Sequence, residues 1–238
     1  MGLDAAVILL ATLVAAVINA AFATGGIYLL IAVVTALLPL SEAIPLMPLL
    51  AAGSLIGRCW YFWRDIDWQR TLTFAGGAVL GAVAGANVFF VLPERMVGTL
   101  LAISLLVLIW FPSTGWRVRL PRPMFFVGIG HTFISAIVGA GGLLQSILIR
   151  SPLNRSAVTA TLASCTCIME LFKVPSYALA GFSYRPYLAL VTLATLAGLI
   201  GTVVGGHIAA RTSERYFRPI FKGIISLVAI RLLWATWT

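Results

Sequence analysis

Nine apolar runs dominate this chain, at residues 5–22, 27–40, 43–63, 71–92, 96–112, 123–138, 156–181, 187–210 and 217–237. Most approach the length that spans a bilayer core as a helix, about 17–25 residues. In lipid such a segment must satisfy its own backbone groups, and a helix does so. Only 10% of the residues are charged and 61% are hydrophobic, whereas a soluble domain carries roughly a quarter charged residues. The chain reads as an all-α polytopic membrane protein. The first run lacks a basic flank, is long and leads straight into further apolar sequence, so it is not expected to be a signal peptide.

The net charge is +9, from 16 Lys and Arg against 7 Asp and Glu. The basic residues fall between the apolar runs, which points to topology and lipid headgroups and not to nucleic acid. Cys59, Cys165 and Cys167 lie inside apolar runs. They read as small buried residues, not as disulfides or metal ligands. Cys165 and Cys167, two apart, point to different faces of a helix.

Two glycine stretches interrupt the runs, Ala23-Thr24-Gly25-Gly26 and Gly139-Ala140-Gly141-Gly142. Glycine permits a sharp reversal and leaves backbone N–H groups uncovered. A helix beginning just after such a turn aims its unpaired N–H groups and positive dipole end forward. Two such starts in corresponding places point to a buried anion site. The competing reading is that these glycines only allow close helix packing.

The halves resemble each other. Gly25-Gly26 matches Gly141-Gly142, Pro39-Leu40 matches Pro152-Leu153, Gly81 and Gly85 match Gly201 and Gly205, and Glu94-Arg95 matches Glu214-Arg215. The order is kept and the offsets drift slowly, as in a duplication with small insertions. The expected organisation is a first repeat over 1–112, a cytoplasmic linker over 113–122 and a second repeat over 123–238. Each repeat begins with a glycine-tipped helical hairpin, 5–40 and 123–150, followed by three transmembrane helices. The short segment 143–150 suits a half-helix.

Loop charge then decides orientation. If each hairpin returns to its starting side, Arg64, Arg70, Arg117, Arg119, Arg122, Arg150, Arg155, Arg211, Arg215 and Arg218 share one face, and Arg95 and Arg185 remain on the other. If the first segment crosses once, the arginines split evenly. Positive loops mark the cytoplasmic face, so the hairpin arrangement is preferred. It makes the two units inverted-topology repeats and places both termini in the periplasm.

Together these features resemble the TauE/SafE family of anion exporters. The resemblance is carried by the turns at Ala23–Gly26 and Gly139–Gly142, the small-residue stretches Gly76–Gly85 and Gly198–Gly206, and the short Pro93-Glu94-Arg95 and Ser213-Glu214-Arg215 loops. It extends over nearly the whole chain. It implies a multi-pass permease of the bacterial inner membrane that exports sulfite, sulfoacetate or a related organosulfonate. Many relatives carry a longer glycine run at the tips; here Thr24 precedes only two glycines.

Ionisable residues inside apolar runs are costly and are functional candidates. Arg58 and its near-equivalent Lys173 read either as snorkelling cations or as cationic positions flanking a central anion site. Glu170 and Lys173, three apart, share a helix face and are expected to neutralise each other rather than to couple protons. His131 lies eight residues before Gly139 and reads as a packing residue or a substrate contact. Asn19, Thr24, Thr132, Gln145 and Ser146 cluster around the tips as hydrogen-bond donors. Asn87 reads as a contact between helices, and the tryptophans as an interfacial belt. The expected substrate-binding set is Thr24, Gly25, Gly26, Ile27, Arg58, His131, Gly141, Gly142, Leu143, Gln145, Ser146 and Lys173.

The sequence carries no GxxxxGK[ST] motif for nucleotide-driven work and no HExxH, GxSxG or carboxylate pair for an intramembrane enzyme. No catalytic residue, metal ligand or cofactor is expected. The leading reading is a secondary transporter; an anion channel or a membrane assembly factor without carrier activity is the alternative. The expected partners are a small anionic substrate and the lipid bilayer, with a homodimer as one option and no nucleic acid.

Overall fold

The computed structural model describes residues 2–22, 25–110, 123–139, 141–149, 151–209 and 214–237, although not every side chain within them. Among the described residues the chain forms ten α-helices. The first five are α1 (Leu3–Phe22), α2 (Gly26–Leu37), α3 (Leu40–Tyr61), α4 (Trp68–Val91) and α5 (Glu94–Trp110). The second five are α6 (Pro123–Val138), α7 (Leu143–Ile149), α8 (Arg155–Leu179), α9 (Leu188–Ala209) and α10 (Glu214–Trp237). Short 3-10 turns at Trp63–Asp65 and Arg185–Tyr187 lead into α4 and α9.

Helix boundaries follow local chemistry. Asp67 caps α4, its carboxylate accepting the Arg70 N–H at 2.9 Å, and Asn154 caps α8 by accepting the Ala157 N–H at 2.8 Å. These bonds satisfy N–H groups that a helix start leaves open. Helix α2 stops where Leu38, before Pro39, turns extended, as a residue preceding proline is driven to do. Among the described residues five helices are long and apolar enough to cross a membrane: α1, α3, α4, most of α8, and α9 with the turn before it. Helix α2, with twelve residues, rises about 18 Å at ~1.5 Å per residue. Helix α7, with seven, rises only about 10 Å on the same pitch. Both fall short of a bilayer core of about 30 Å.

Both glycine turns reverse the chain. Gly25 has φ 113° and Gly139 φ 74°, backbone conformations that favour glycine. Helix α2 folds back along α1 so closely that a Cβ on Gly26 would lie 1.9 Å from the Ala15 carbonyl oxygen. Gly26 is therefore a packing glycine, as the competing reading of the sequence had it.

The helices pack most intimately as α4 with α6, α1 with α9, α3 with α9, α4 with α8, α5 with α10 and α3 with α8. Exchanging α1–α5 for α6–α10 in order leaves this set unchanged. The small-residue stretches make two of these contacts possible. On α4, a Cβ at Gly77 or Gly81 would lie 2.0 or 2.4 Å from the Phe125 or Ile129 carbonyl oxygen of α6. On α9, a Cβ at Gly201 or Gly205 would lie 2.5 or 2.4 Å from the Leu13 or Val17 carbonyl oxygen of α1. The hairpin of each half thus lies against a small-residue helix of the other half.

The outer surface is apolar. Trp60, Trp63, Trp68, Trp110, Trp234 and Trp237 are all exposed; Trp116 lies outside the described residues. Asn87 differs from the sequence reading. It is exposed and its side-chain amide donates to the Val83 carbonyl of its own helix at 2.8 Å. Only Cys165 of the three cysteines is fully buried; Cys59 and Cys167 are half-buried.

Candidate functional site

A cavity of about 90 Å³ sits among α1, α2, α3, α6, α8 and the start of α7, and among the described residues none of α4, α5, α9 or α10 lines it. Both hairpins and the central helix of each half therefore meet at one point. The cavity has the volume of a few waters at about 30 Å³ each. It is well below the ~300 Å³ at which drug-sized pockets begin. Its scale suits a small ion.

Three polar pairs four residues apart face it, Ser54 and Arg58 on α3, His131 and Ser135 on α6, and Thr166 and Glu170 on α8. That spacing places both members on one helix face. Asn19 from α1, Ile27 and Tyr28 from α2, Gly141 and Gln145 from the second turn complete the polar edge and tips. Arg58 Nε donates to the Ser54 carbonyl at 3.4 Å, which lays the guanidinium back along its helix. Ser54 is 4% exposed and its hydroxyl has no protein partner. A buried hydroxyl without a partner is costly, and this one lines the cavity.

His131 is 4% exposed, and its Nδ1 accepts the Leu144 N–H at 3.4 Å. A neutral ring in that bond carries its proton on Nε2. The first turn of α7 thus spends one N–H on the protein itself. Gly141 abuts the same ring, and a Cβ there would lie 2.6 Å from its Cε1.

Lys173 does not line the cavity. It is fully buried behind it, its Nζ 2.9 Å from Glu170 Oε2 and donating to Ser135 Oγ at 3.2 Å. The sequence reading that Glu170 and Lys173 neutralise each other matches this geometry, and snorkelling does not. Tyr177 adds a second tie from α8 to α6 by donating to the Ala136 carbonyl at 2.5 Å. Glu170 is thus paired with Lys173, and Arg58 lines the cavity on the α3 side.

The structure brings together Ile27, Arg58, His131, Gly141 and Gln145 of the expected set. Gly25, Gly26, Gly142, Leu143 and Lys173 lie outside the lining. Thr24 and the Ser146 side chain lie outside the described residues. Sequence reasoning passed over Ser54, Tyr28, Ser135 and Thr166. The signal that finds three of them is the four-residue spacing from Arg58, His131 and Glu170.

The family model for "Sulfite exporter TauE/SafE" matches residues 8–232. The chain belongs to the sulfite exporter TauE/SafE family. That is a family of membrane transporters and not of enzymes, and this member is a multi-pass membrane protein. The search of curated proteins and the search of solved structures return no match.

Proposed function

We propose that this TauE/SafE protein is a secondary transporter that exports a small sulfur-containing oxyanion, sulfite, sulfoacetate or a related organosulfonate, across the bacterial inner membrane. The observation that carries the reading is the cavity itself. It is small, built from both halves, lined by the Arg58 side chain, and holds an unpartnered hydroxyl at Ser54. Arg58 supplies the charge-assisted hydrogen bonds that oxyanions prefer. Ser54, Gln145 and the Nε2–H of His131 supply neutral donors. Backbone N–H groups at the glycine tips, near Gly25, Gly26, Ile27, Gly141, Gly142 and Leu143, add positive potential from the two helix starts. Thr24 and Ser146 belong to the same tips, and Lys173 acts from behind Glu170.

The transport cycle follows from duplication. We read the halves, 1–112 and 123–238, as inverted repeats around this cavity, with both termini in the periplasm and the 113–122 linker in the cytoplasm. The arginine distribution and the packing set that survives exchange of the halves support that reading. A site on such an axis opens to either side as the two units exchange conformations. An inside-negative potential drives each anionic charge outward by about 2.3 kcal/mol per 100 mV, so export requires no nucleotide.

Reconstituted liposomes loaded with labelled sulfite or sulfoacetate test the proposal. Saturable flux with counterflow is the expected result. Non-saturating conductance makes the protein a channel, and absence of flux for every anion leaves an assembly role; either result overturns the carrier.

A further inference from the structure

Each end of the α3–α8 pair is tied by the segment that follows one of the two helices. After α3, the Asp67 N–H donates to the Thr161 hydroxyl of α8 at 3.0 Å, and one helical turn further on the Thr71 and Ser164 hydroxyls bond at 2.9 Å. After α8, the Tyr184 hydroxyl donates to the Pro45 carbonyl of α3 at 3.1 Å, and the Tyr187 hydroxyl donates to the Glu42 carboxylate. Phe182 holds both tyrosines in place. It stacks on the Tyr187 ring with planes 12° apart and meets the Tyr184 ring edge-on at a centroid distance of 4.8 Å. Exchanging the halves carries one tie onto the other, since α3 and α8 are the third helix of each half. Along α3 and its following turn the order is Glu42 and Pro45, then Ser54 and Arg58 of the cavity, then Asp67. Along α8 and its following turn it is Thr161, then Thr166 and Glu170 of the cavity, then Tyr184 and Tyr187. The helices therefore run antiparallel, and the cavity lies between two ties at opposite ends. Asn19, Ser54, His131, Ser135 and Glu170 of its lining are each at most 8% exposed.

We propose that these two ties are the gates of the cavity, Asp67 and Thr71 on Thr161 and Ser164 at one end, Tyr184 and Tyr187 on Pro45 and Glu42 at the other, and that each opens while its counterpart stays closed. The proposal rests on the transport reading and names the residues that would seal each end of its cycle. Three observations carry it. Both ties cross from one half of the chain to the other, so any movement of one unit against the other must break one of them. They flank the cavity at opposite ends, as gates of a central site must. Their chemistry is reversible: three of the four bonds join uncharged groups, and a neutral hydrogen bond contributes little net stability, so it can part and re-form. The two ends differ in kind. One is a backbone N–H and small hydroxyls, and the other is an aromatic cluster with a carboxylate acceptor.

The test reads access to the cavity from each side. Ser54→Cys in a cysteine-free full-length protein places a thiol in the cavity without breaking a protein hydrogen bond of that side chain. Its modification by a membrane-impermeant methanethiosulfonate is timed in right-side-out and in inside-out vesicles. Tyr184→Phe with Tyr187→Phe keeps the rings and removes both hydroxyls; it is expected to speed labelling from one side, by roughly fivefold for each lost bond. Thr161→Val removes the acceptor for the Asp67 N–H and is expected to speed labelling from the opposite side. Glu42→Gln keeps an acceptor for Tyr187 and is expected to change the rate less than Tyr187→Phe. Size exclusion establishes that each variant is folded before it is labelled. Unchanged rates in folded variants, or faster labelling from the same side in both, overturns the gates, as does a variant that opens both sides equally. Labelling needs no substrate. Opposite-sided opening in a protein that moves no anion therefore counts against the transport proposal alone, and unchanged labelling beside saturable sulfite counterflow counts against the gates alone.

Discussion

Arg58 and Lys173 look alike in the sequence, but their surroundings give them different work. Arg58 lines the cavity, and Lys173 is enclosed between Glu170 and Ser135. Arg58→Ala is expected to weaken sulfite binding while the protein still inserts. Loss of a charge-assisted bond costs about 1.5–3 kcal/mol, or roughly 10- to 150-fold in affinity; isothermal titration in detergent measures it. Lys173→Ala leaves the Glu170 carboxylate buried without its partner, a change that costs about 3–5 kcal/mol of stability. The thermal midpoint is expected to drop sharply, and Glu170→Gln added to Lys173→Ala is expected to recover part of it. Equal stability of the single and double variants would remove the ion pair from the account. Ser54→Ala removes a donor that has no protein partner. It is expected to leave the thermal midpoint near that of wild type and to raise the KM for sulfite.

At the scale of helices, glycine position decides tolerance. Gly77 and Gly81 bring α4 onto α6, while Gly206 on α9 has nothing within 4 Å of where a Cβ would stand. Gly81→Ala is expected to cost about 1–3 kcal/mol through overpacking, and Gly201→Ala a similar amount on the other side of the molecule. Gly206→Ala is expected to be neutral. Fluorescence-detected size exclusion after heating separates them; equal losses at Gly81 and Gly206 would contradict the packing described. The same logic governs the tips. A valine at Gly26 meets the Ala15 carbonyl, so Gly26→Val is expected to disrupt the first hairpin. It does not isolate the anion site. Gly141→Ala instead presses on His131 and is expected to alter anion affinity with a smaller loss of folded protein.

For the whole molecule, the proposed inverted arrangement predicts sidedness. Single cysteines introduced at Ser113 and Thr238 into a cysteine-free background report it in intact cells with an impermeant maleimide. Thr238→Cys is expected to label and Ser113→Cys to remain unlabelled until the membrane is opened. The reverse pattern would turn the molecule over and end the inverted-hairpin scheme.

The membrane class, the helix spans and the two reversals were legible because each has a local cause. Apolar length sets the spans, proline and capping residues set the ends, and glycine sets the turns at Gly25 and Gly139. The candidate site was legible only as residues that cost energy in lipid, such as Arg58, His131 and Glu170. Which of them meet depends on contacts between α3, α6 and α8, segments far apart in the chain. The sequence therefore left Arg58 and Lys173 as equals, and tertiary packing separated them, because a buried charge takes whichever counter-charge the fold brings within reach. Packing also gave Gly26 its role against α1. By itself the sequence determined that helices form and where they turn; only the tertiary structure decided which polar groups find partners and which, like the Ser54 hydroxyl, are left facing the cavity.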